Sequence, residues 1–180
     1  MSWITPDLIK HLHDVGYFEG PSAACMAIMP FVEEWMVGVE IGVYGGDSSK
    51  LFVENCKFMH FIDPCFEYAE NPDKGWFAIE EHFLKKMSFT NRFHFIKGMA
   101  ADVADQIPEV DFVFIDGNHT YDYVKKDIDL YWPKIRRHGF LCGHDYTGGH
   151  PGVTQAVDEF SAAERLPMEQ HEYCWLIRKP

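Results

Sequence analysis

Short apolar runs alternate along this chain with longer stretches in which apolar residues recur every three or four positions. The short runs predict strands over Met36 to Val43, Phe58 to Ile62, Arg92 to Ile96, Phe112 to Ile115, Gly139 to Gly143 and Tyr173 to Ile177, with Met168 to Glu172 as a short partner. The longer stretches predict helices. One runs from Ser48 to Cys56. A second, Trp76 to Met87, carries Phe77, Ile79, Phe83, Leu84 and Met87 at roughly helical period. A short one from Ala100 to Ile107 stops at Pro108, and Tyr121 to Ile135 has Pro133 near its end. The last, Val153 to Ala163, is opened by Pro151 and Gly152. Strand and helix in alternation predict an α/β fold, a Rossmann-like doubly wound sheet with helices on both faces and right-handed crossovers. Pro6 to Val15 and Ser22 to Trp35 also read as helices. No repeat, low-complexity tract or linker divides the chain, so residues 1–180 are expected as one domain. Residues 1–35 would form a helical cap on the sheet or a contact between copies in a homo-oligomer, and residues 36–180 the sheet itself.

In open sheets of this kind, ligands bind beyond the carboxyl ends of the strands, where strand order reverses. The residues just after each predicted strand are Glu40 to Gly42, Asp63, Gly98 and Met99, Asp116, and His144 with Asp145. Most of the unusual polar chemistry of the chain falls at those places. The stretch from Val37 to Ser48 says most about the ligand. An apolar run ends in Glu40, followed by Gly42, the pair Gly45 and Gly46, and hydroxyl residues that can start a helix. A dinucleotide turn needs Gly-x-Gly-x-x-Gly so that backbone can approach a pyrophosphate. Here Tyr44 stands at the second glycine, and Asp47 adds negative charge where a pyrophosphate needs positive field. Neither departure harms a ligand that has no phosphate and carries a sulfonium and an ammonium. The turn therefore implies S-adenosylmethionine. Asp63 follows at the end of the second strand, where a carboxylate would meet ribose hydroxyls. No Gly-Lys-Ser/Thr is present, which excludes a P-loop. Taken singly, each glycine could simply make a tight turn and Asp63 could cap the turn at Pro64; the combination favours the ligand.

Composition narrows the classes. With 180 residues, 47% hydrophobic and 16% aromatic, the chain has the make-up of one well-packed globule. A formal charge of −12 argues against nucleic acid and against an anionic membrane surface as partners. Cys25, Cys56, Cys65, Cys142 and Cys174 stand apart, with no Cys-x-x-Cys, and read as reduced thiols. The N-terminus shows no signal-peptide pattern, and no apolar run is long enough to span a bilayer. A soluble cytoplasmic protein is expected.

Asp116, His119, His144 and Asp145 form the second chemical group. Two carboxylates and an imidazole can hold a divalent ion. Oxygen ligands favour Mg²⁺ or Mn²⁺, whereas an imidazole also tolerates Fe²⁺ or Zn²⁺. Asp116, His144 and Asp145 are the candidate metal ligands. His119, His144 and Asp145 are the candidate catalytic residues, with either histidine as the base that deprotonates an acceptor and Asp116 and Asp145 holding the metal or orienting the acceptor. The competing reading of either histidine is a buried imidazole that locks its loop. His150 lies in a loop of its own, Gly148-Gly149-His150-Pro151, that could close over a substrate. His11, His13, His60, His82, His94, His138 and His171 read as structural or surface residues. Trp35, Trp132 and Trp175 read as core.

These residues carry a family resemblance. Val39-Glu40-Ile41-Gly42 through Gly46, Phe61-Ile62-Asp63-Pro64, Phe114 through Tyr121, Gly143-His144-Asp145-Tyr146, and Pro151-Gly152-Val153 with Ala156 to Phe160 resemble the class I S-adenosylmethionine-dependent methyltransferases. Within them the chain looks like the small group related to macrolide-sugar O-methyltransferases and to cephalosporin-hydroxylase-like proteins. The match begins near Met36 and runs to the C-terminus. The resemblance implies a sheet of about seven strands with the last antiparallel, and a cofactor lying across the ends of strands one to three. It implies that Glu40 and Gly42 line the methionine end, that Asp63 holds the ribose, and that Met99 or Ala100 lies by the adenine; Gly46 and Asp116 complete the cofactor set. Relatives use acids for Mg²⁺ where this chain has His144. The implied activity is methylation of a small molecule, most simply at a hydroxyl. Sugar hydroxyl, other alcohol, phenol and nitrogen acceptors all stay open. The rivals are an NAD-dependent oxidoreductase, a metal-dependent hydrolase using the Asp and His cluster, and a binding protein of the same fold without turnover.

Overall fold

The computed structural model describes residues 23–65, 79–147 and 149–180. Seven strands form one sheet in the order β3-β2-β1-β4-β5-β7-β6. They are β1 (Val37–Ile41), β2 (Phe58–Asp63), β3 (Phe93–Lys97), β4 (Val110–Ile115), β5 (Ile135–Gly143), β6 (Met168–His171) and β7 (Cys174–Arg178). The first five run parallel, and β7 pairs antiparallel with both β5 and β6. The helices are α1 (Ala23–Met26), α2 (Asp47–Asn55), α3 (Ile79–Lys86), α4 (Ala100–Val103), α5 (Tyr121–Tyr131) and α6 (Pro151–Glu164). The expected doubly wound sheet with an antiparallel last strand is therefore present. Strand order reverses between β1 and β4, so the loops after those two strands flank the crevice.

The two faces of the sheet carry different cores, because successive strand residues point to opposite sides. On one face Phe61, Phe112, Phe114 and Phe140 meet Phe52 of α2 and Phe83 of α3. On the other, Val39, Ile41, Ile62, Val113 and Ile115 meet α4, α5 and α6 through Val103, Val124, Ile128, Tyr131 and Val157. All six residues of β4 are buried, as a central parallel strand covered on both faces requires. Asp111 ties three strands at the end remote from the crevice. Its carboxylate accepts from the Val37 backbone N–H at 2.7 Å and from Arg136 Nη1 at 3.0 Å.

Two expectations change here. Residues 22–35 do not form one helix: among the described residues there is only the single turn α1 and a 3₁₀ turn, Met29–Phe31. Pro30 lies within that second turn and supplies no N–H to continue a helical ladder. Trp35 is 58% exposed rather than core, its indole N–H donating to Glu33. The expected helix Pro6 to Val15 and the first turn of Trp76 to Met87 lie outside the described residues. No helix among the described residues is long and apolar enough to cross a membrane.

Candidate active site

The turn after β1 is built by its neighbours. Gly42 donates its N–H to Ile62 at 2.9 Å, and the Asp116 N–H donates to Ile41 at 2.8 Å. These bonds draw the loops after β1, β2 and β4 together. Gly42 has φ +86, and a Cβ there would lie 2.3 Å from the Asp116 carbonyl oxygen. Only glycine combines that dihedral with that approach. Tyr44 turns left-handed at φ 44, and Gly46 at φ 75 caps α2.

Glu40 is wholly buried. One carboxyl oxygen accepts from the Ser48 hydroxyl, and Oε2 has no hydrogen-bond partner among the described residues. Burial pushes its carboxyl up to about 8; hydrogen bonds from Ser48 and Ser49 oppose this, while the charges of Asp116 and Asp63 add to it. The folded chain thus binds that proton more tightly than the unfolded chain, whose carboxyl titrates near 4.5. The resulting stabilisation is complete below pH 4.5 and is lost as pH rises towards 8. Half-buried Asp116 and buried Asp127, both raised to about 7, act in the same direction. Glu40→Gln should therefore flatten the fall in melting temperature between pH 5 and 8, a fall worth on the order of a few kcal/mol for Glu40. An unchanged slope in thermal melts across that range would contradict the buried proton.

Asp63 is 4% exposed, and its oxygens are engaged by backbone. Oδ2 accepts from Val43 at 3.0 Å and Tyr44 at 3.2 Å, and Oδ1 from Cys65 at 2.7 Å. The carboxylate therefore holds the shape of the β1 turn. Sequence spacing could suggest a ribose ligand but not this role.

A cavity of about 320 Å³ opens at the same edge, within the range of small-molecule sites. Of the expected cofactor residues, Gly42, Met99 and Ala100 line it. Glu40, Gly46, Asp63 and Asp116 are not among its lining residues. Its apolar wall is Ile41, Ile62, Pro64, Ala100 and Ala101, and α5 contributes Asp122, Tyr123, Lys126 and Asp127. The α5 residues were not foreseen. The available signal was Asp127 itself, a charge on the inward stripe of Val124, Ile128 and Tyr131.

Beside the cavity, the ends of β4 and β5 gather Asp116, His119, His144 and Asp145, as their positions after strands predict. The Asp145 carboxylate is the hub. Oδ2 lies 2.8 Å from His119 Nε2, and Oδ1 lies 3.2 Å from His144 Nδ1 and 3.9 Å from His150 Nε2. Asp116 Oδ1 is 3.8 Å from His144 Nδ1. Asp145 sits in the left-handed region at φ 61, which an aspartate tolerates better than most residues. Its loop is fastened by Tyr146, whose N–H donates to Tyr173 and whose hydroxyl donates to Asp158 at 2.7 Å. His150 arrives through α6. A Cβ on Gly152 would lie 2.6 Å from the His119 carbonyl oxygen, so glycine there lets the first turn of α6 close on the His119 loop. The His119 and His150 rings then lie with centroids 4.2 Å apart.

The electrostatics follow from this packing. Burial raises the Asp116 carboxyl to about 7, against the attraction of His144. Burial disfavours the charged forms of Asp145 and His144 as well. For Asp145, hydrogen bonds from His119 and His144 outweigh that cost and hold the carboxyl well below the usual range. For His144, the bond to Asp145 and the charges of Asp116 and Asp145 outweigh it and raise the imidazole. Two groups of donors could hold a cation: Asp116, His144 and Asp145, and His119, Asp145 and His150. Both include imidazole, which suits Mn²⁺ or Zn²⁺ better than Mg²⁺.

Known proteins share this fold. A family model described as a methyltransferase domain matches residues 39–146. The uncharacterized protein R132 of Acanthamoeba polyphaga mimivirus is 30% identical over 154 residues, which cover 76% of this chain and 66% of that protein. The chain thus spans a little under two thirds of that relative's length. Among solved structures, a candidate caffeoyl-CoA O-methyltransferase from Staphylococcus aureus superposes with TM-score 0.68 at 15% identity, covering 96% of this chain and 92% of that one. SAH-bound PaMTH1 of Podospora anserina gives 0.63 at 18%, over 98% and 89%. Apo CalS11, a TDP-rhamnose 3′-O-methyltransferase of calicheamicin biosynthesis, gives 0.61 at 14%, over 97% and 81%. At such identities the structures speak for the fold, while the family model covers more than half of the chain. Together with the seven-stranded sheet, they make this chain a member of the class I S-adenosylmethionine-dependent methyltransferases.

Proposed function

We propose that the protein methylates a hydroxyl of a small molecule, with His119 as the base and Asp145 as the residue that positions it. The observation that carries this reading is the His119–Asp145 contact of 2.8 Å beside a ligand-sized cavity. The residues present fit the cofactor. Gly42, Met99 and Ala100 line the cavity, and the orphaned Glu40 Oε2 becomes an acceptor near the methionine end once a cationic ligand displaces its proton. Asp63 uses three of the roughly four acceptor positions of a carboxylate, which leaves one for a ribose hydroxyl. S-adenosylmethionine supplies an electrophilic methyl group on a sulfonium.

The chain's own task is to hold the acceptor in line and remove its proton. An alcohol is a weak nucleophile at neutral pH, so proton removal in the transition state matters. Asp145 holds the imidazole of His119 by one nitrogen, fixing ring orientation and stabilising the imidazolium that forms when the acceptor proton arrives. Asp116, His144 and Asp145 are the residues that would hold a divalent metal, which would supply positive charge to lower the pKa of a nearby hydroxyl. The charge of −12 supports a small acceptor over nucleic acid. The names of the O-methyltransferase neighbours support oxygen over nitrogen.

Calorimetry tests the reading. S-adenosylhomocysteine should bind at micromolar concentration, and NAD should not bind. Repeating the titration with Mn²⁺, with Mg²⁺ and with chelator tests the metal, Mn²⁺ being expected to act more strongly than Mg²⁺. Binding of NAD in place of S-adenosylhomocysteine would overturn the assignment.

A further inference from the structure

Trp175 of β7 is wholly buried, yet its indole N–H has no hydrogen-bond partner among the described residues. An N–H left in that state costs about 1–3 kcal/mol, and nearly all buried polar groups in folded proteins are partnered by protein or by ordered water. The strand pairing shows where this N–H sits. Trp175 lies opposite Gly143 across β5 and β7. A Cβ on Gly143 would come within 2.7 Å of indole Cζ2 and 2.8 Å of Cε2, the carbon bonded to the indole nitrogen. Glycine there lets the nitrogen edge of the ring lie beside the loop that carries His144 and Asp145. A second cavity, of about 10 Å³, opens between this loop and the helices α5 and α6. Polar groups of Asp116, His119 and His144 share its wall with Trp175, and Val124 of α5 and Val153 of α6 close it. Volume and chemistry choose the occupant. The space matches one water molecule and no organic group. An indole N–H can only donate, which excludes a bare cation at that atom, and the oxygens of Asp116 in the same wall repel an anion. A water accepts from the indole and still has two protons to give.

We propose that Trp175 is a positioning residue for Asp116 and acts through one buried water, which accepts from the indole N–H and donates to the Asp116 carboxyl. Asp116 is the receiver because the histidines are already engaged. His119 and His144 address Asp145 at 2.8 Å and 3.2 Å. Asp116 Oδ1 lies 3.8 Å from His144 Nδ1, too far for a hydrogen bond. The water bridge sets the side-chain angle of Asp116 and leaves Oδ1 towards His144. Partners one bond removed from a metal ligand typically change metal affinity by about 10–100-fold when they are lost. That consequence rests on the metal role given to Asp116 above; the hydration of Trp175 does not.

The test has two arms. The first is NMR of the full chain, isotopically labelled at tryptophan. The Trp175 indole N–H, identified by its loss in Trp175→Phe, should show cross-relaxation with a long-lived bound water. Asp116→Asn keeps an acceptor oxygen and should keep that contact, whereas Asp116→Leu should abolish it and move the indole resonance. No water contact in wild type, or an indole resonance unmoved in Asp116→Leu, overturns the proposal. The second arm is calorimetry with Mn²⁺ and, separately, with S-adenosylhomocysteine. Trp175→Phe keeps an aromatic ring and loses the N–H. It should weaken Mn²⁺ binding by about tenfold or more and leave S-adenosylhomocysteine within about twofold, because Trp175 is not among the residues lining the larger cavity. Equal weakening of both ligands, together with a lower melting temperature, makes Trp175 merely structural and overturns its positioning role. Failure of wild type to bind Mn²⁺ overturns the metal role of Asp116 instead, while the water contact seen by NMR still decides the bridge.

Discussion

Asp145→Asn should lower turnover by about a hundredfold to ten-thousandfold, the usual worth of a positioned general base, while the affinity for S-adenosylhomocysteine stays within about threefold. Asparagine is the informative substitution. It keeps the shape of the side chain and tolerates φ 61, where alanine would add backbone strain. What it removes is the charge that two histidines share: His119 at 2.8 Å and His144 at 3.2 Å both address this carboxylate. Without it, the imidazolium formed on proton transfer loses its counter-charge, and the ring loses the bond that sets its orientation. The effect should fall on kcat, because Asp145 is not among the residues lining the cavity. Normal turnover in Asp145→Asn would remove the dyad from the mechanism. A matching loss of ligand affinity would make the residue structural instead.

Gly42→Ala should be the most damaging single-methyl change in the crevice. The added carbon would lie 2.3 Å from the Asp116 carbonyl oxygen and 2.7 Å from Gly117 Cα, both backbone atoms of the turn after β4. Neither can yield without shifting the loop that carries Asp116. Left-handed strain costs about 1–2 kcal/mol and overpacking about 1–3 kcal/mol more. A melting temperature lower by roughly 5–15 °C is expected for a chain of this size. Ligand affinity should fall with it, since Gly42 lines the cavity. Gly149→Ala is the matched control. Gly149 has φ +93 but nothing within 4 Å of its would-be Cβ, so it carries the strain without the collision. A Gly42→Ala melt no lower than that of Gly149→Ala would refute the close approach.

The two predictions touch residues of different legibility. Gly42 was readable, because a glycine after an apolar run ending in an acid announces a turn that backbone must approach closely. The hub role of Asp145 was not. Spacing put Asp145, His119 and His144 at strand ends, but a shared carboxylate depends on side-chain directions. Those directions come from the left-handed turn at Asp145 and from Gly152, which lets α6 close on the His119 loop. His150, read as part of a loop that could close over substrate, ends up with its ring tilted against that of His119 for the same reason. Asp63 shows another limit. Its place after β2 suggests a ribose partner, but its hold on three backbone N–H groups, which become neighbours only in the folded crevice, could not be read from spacing.

What the order of residues determined by itself was the architecture. Apolar runs of strand length, separated by helical periodicity, can bury their faces in few ways, and the doubly wound sheet is the one that covers β4 on both sides. The same patterning placed the polar residues at the strand ends, while the order that sets β1 beside β4 is seen in the folded sheet. Tertiary structure alone decided which polar groups are satisfied. Glu40 keeps one orphaned oxygen, Asp127 lines the cavity with no side-chain hydrogen bond among the described residues, and Trp35 lies on the surface rather than in the core. The reason is physical: hydrophobic burial is non-directional and can be read from a one-dimensional pattern, whereas a hydrogen bond needs two atoms within about 3 Å at a suitable angle. Only the packed chain brings such atoms, distant in sequence, to that separation.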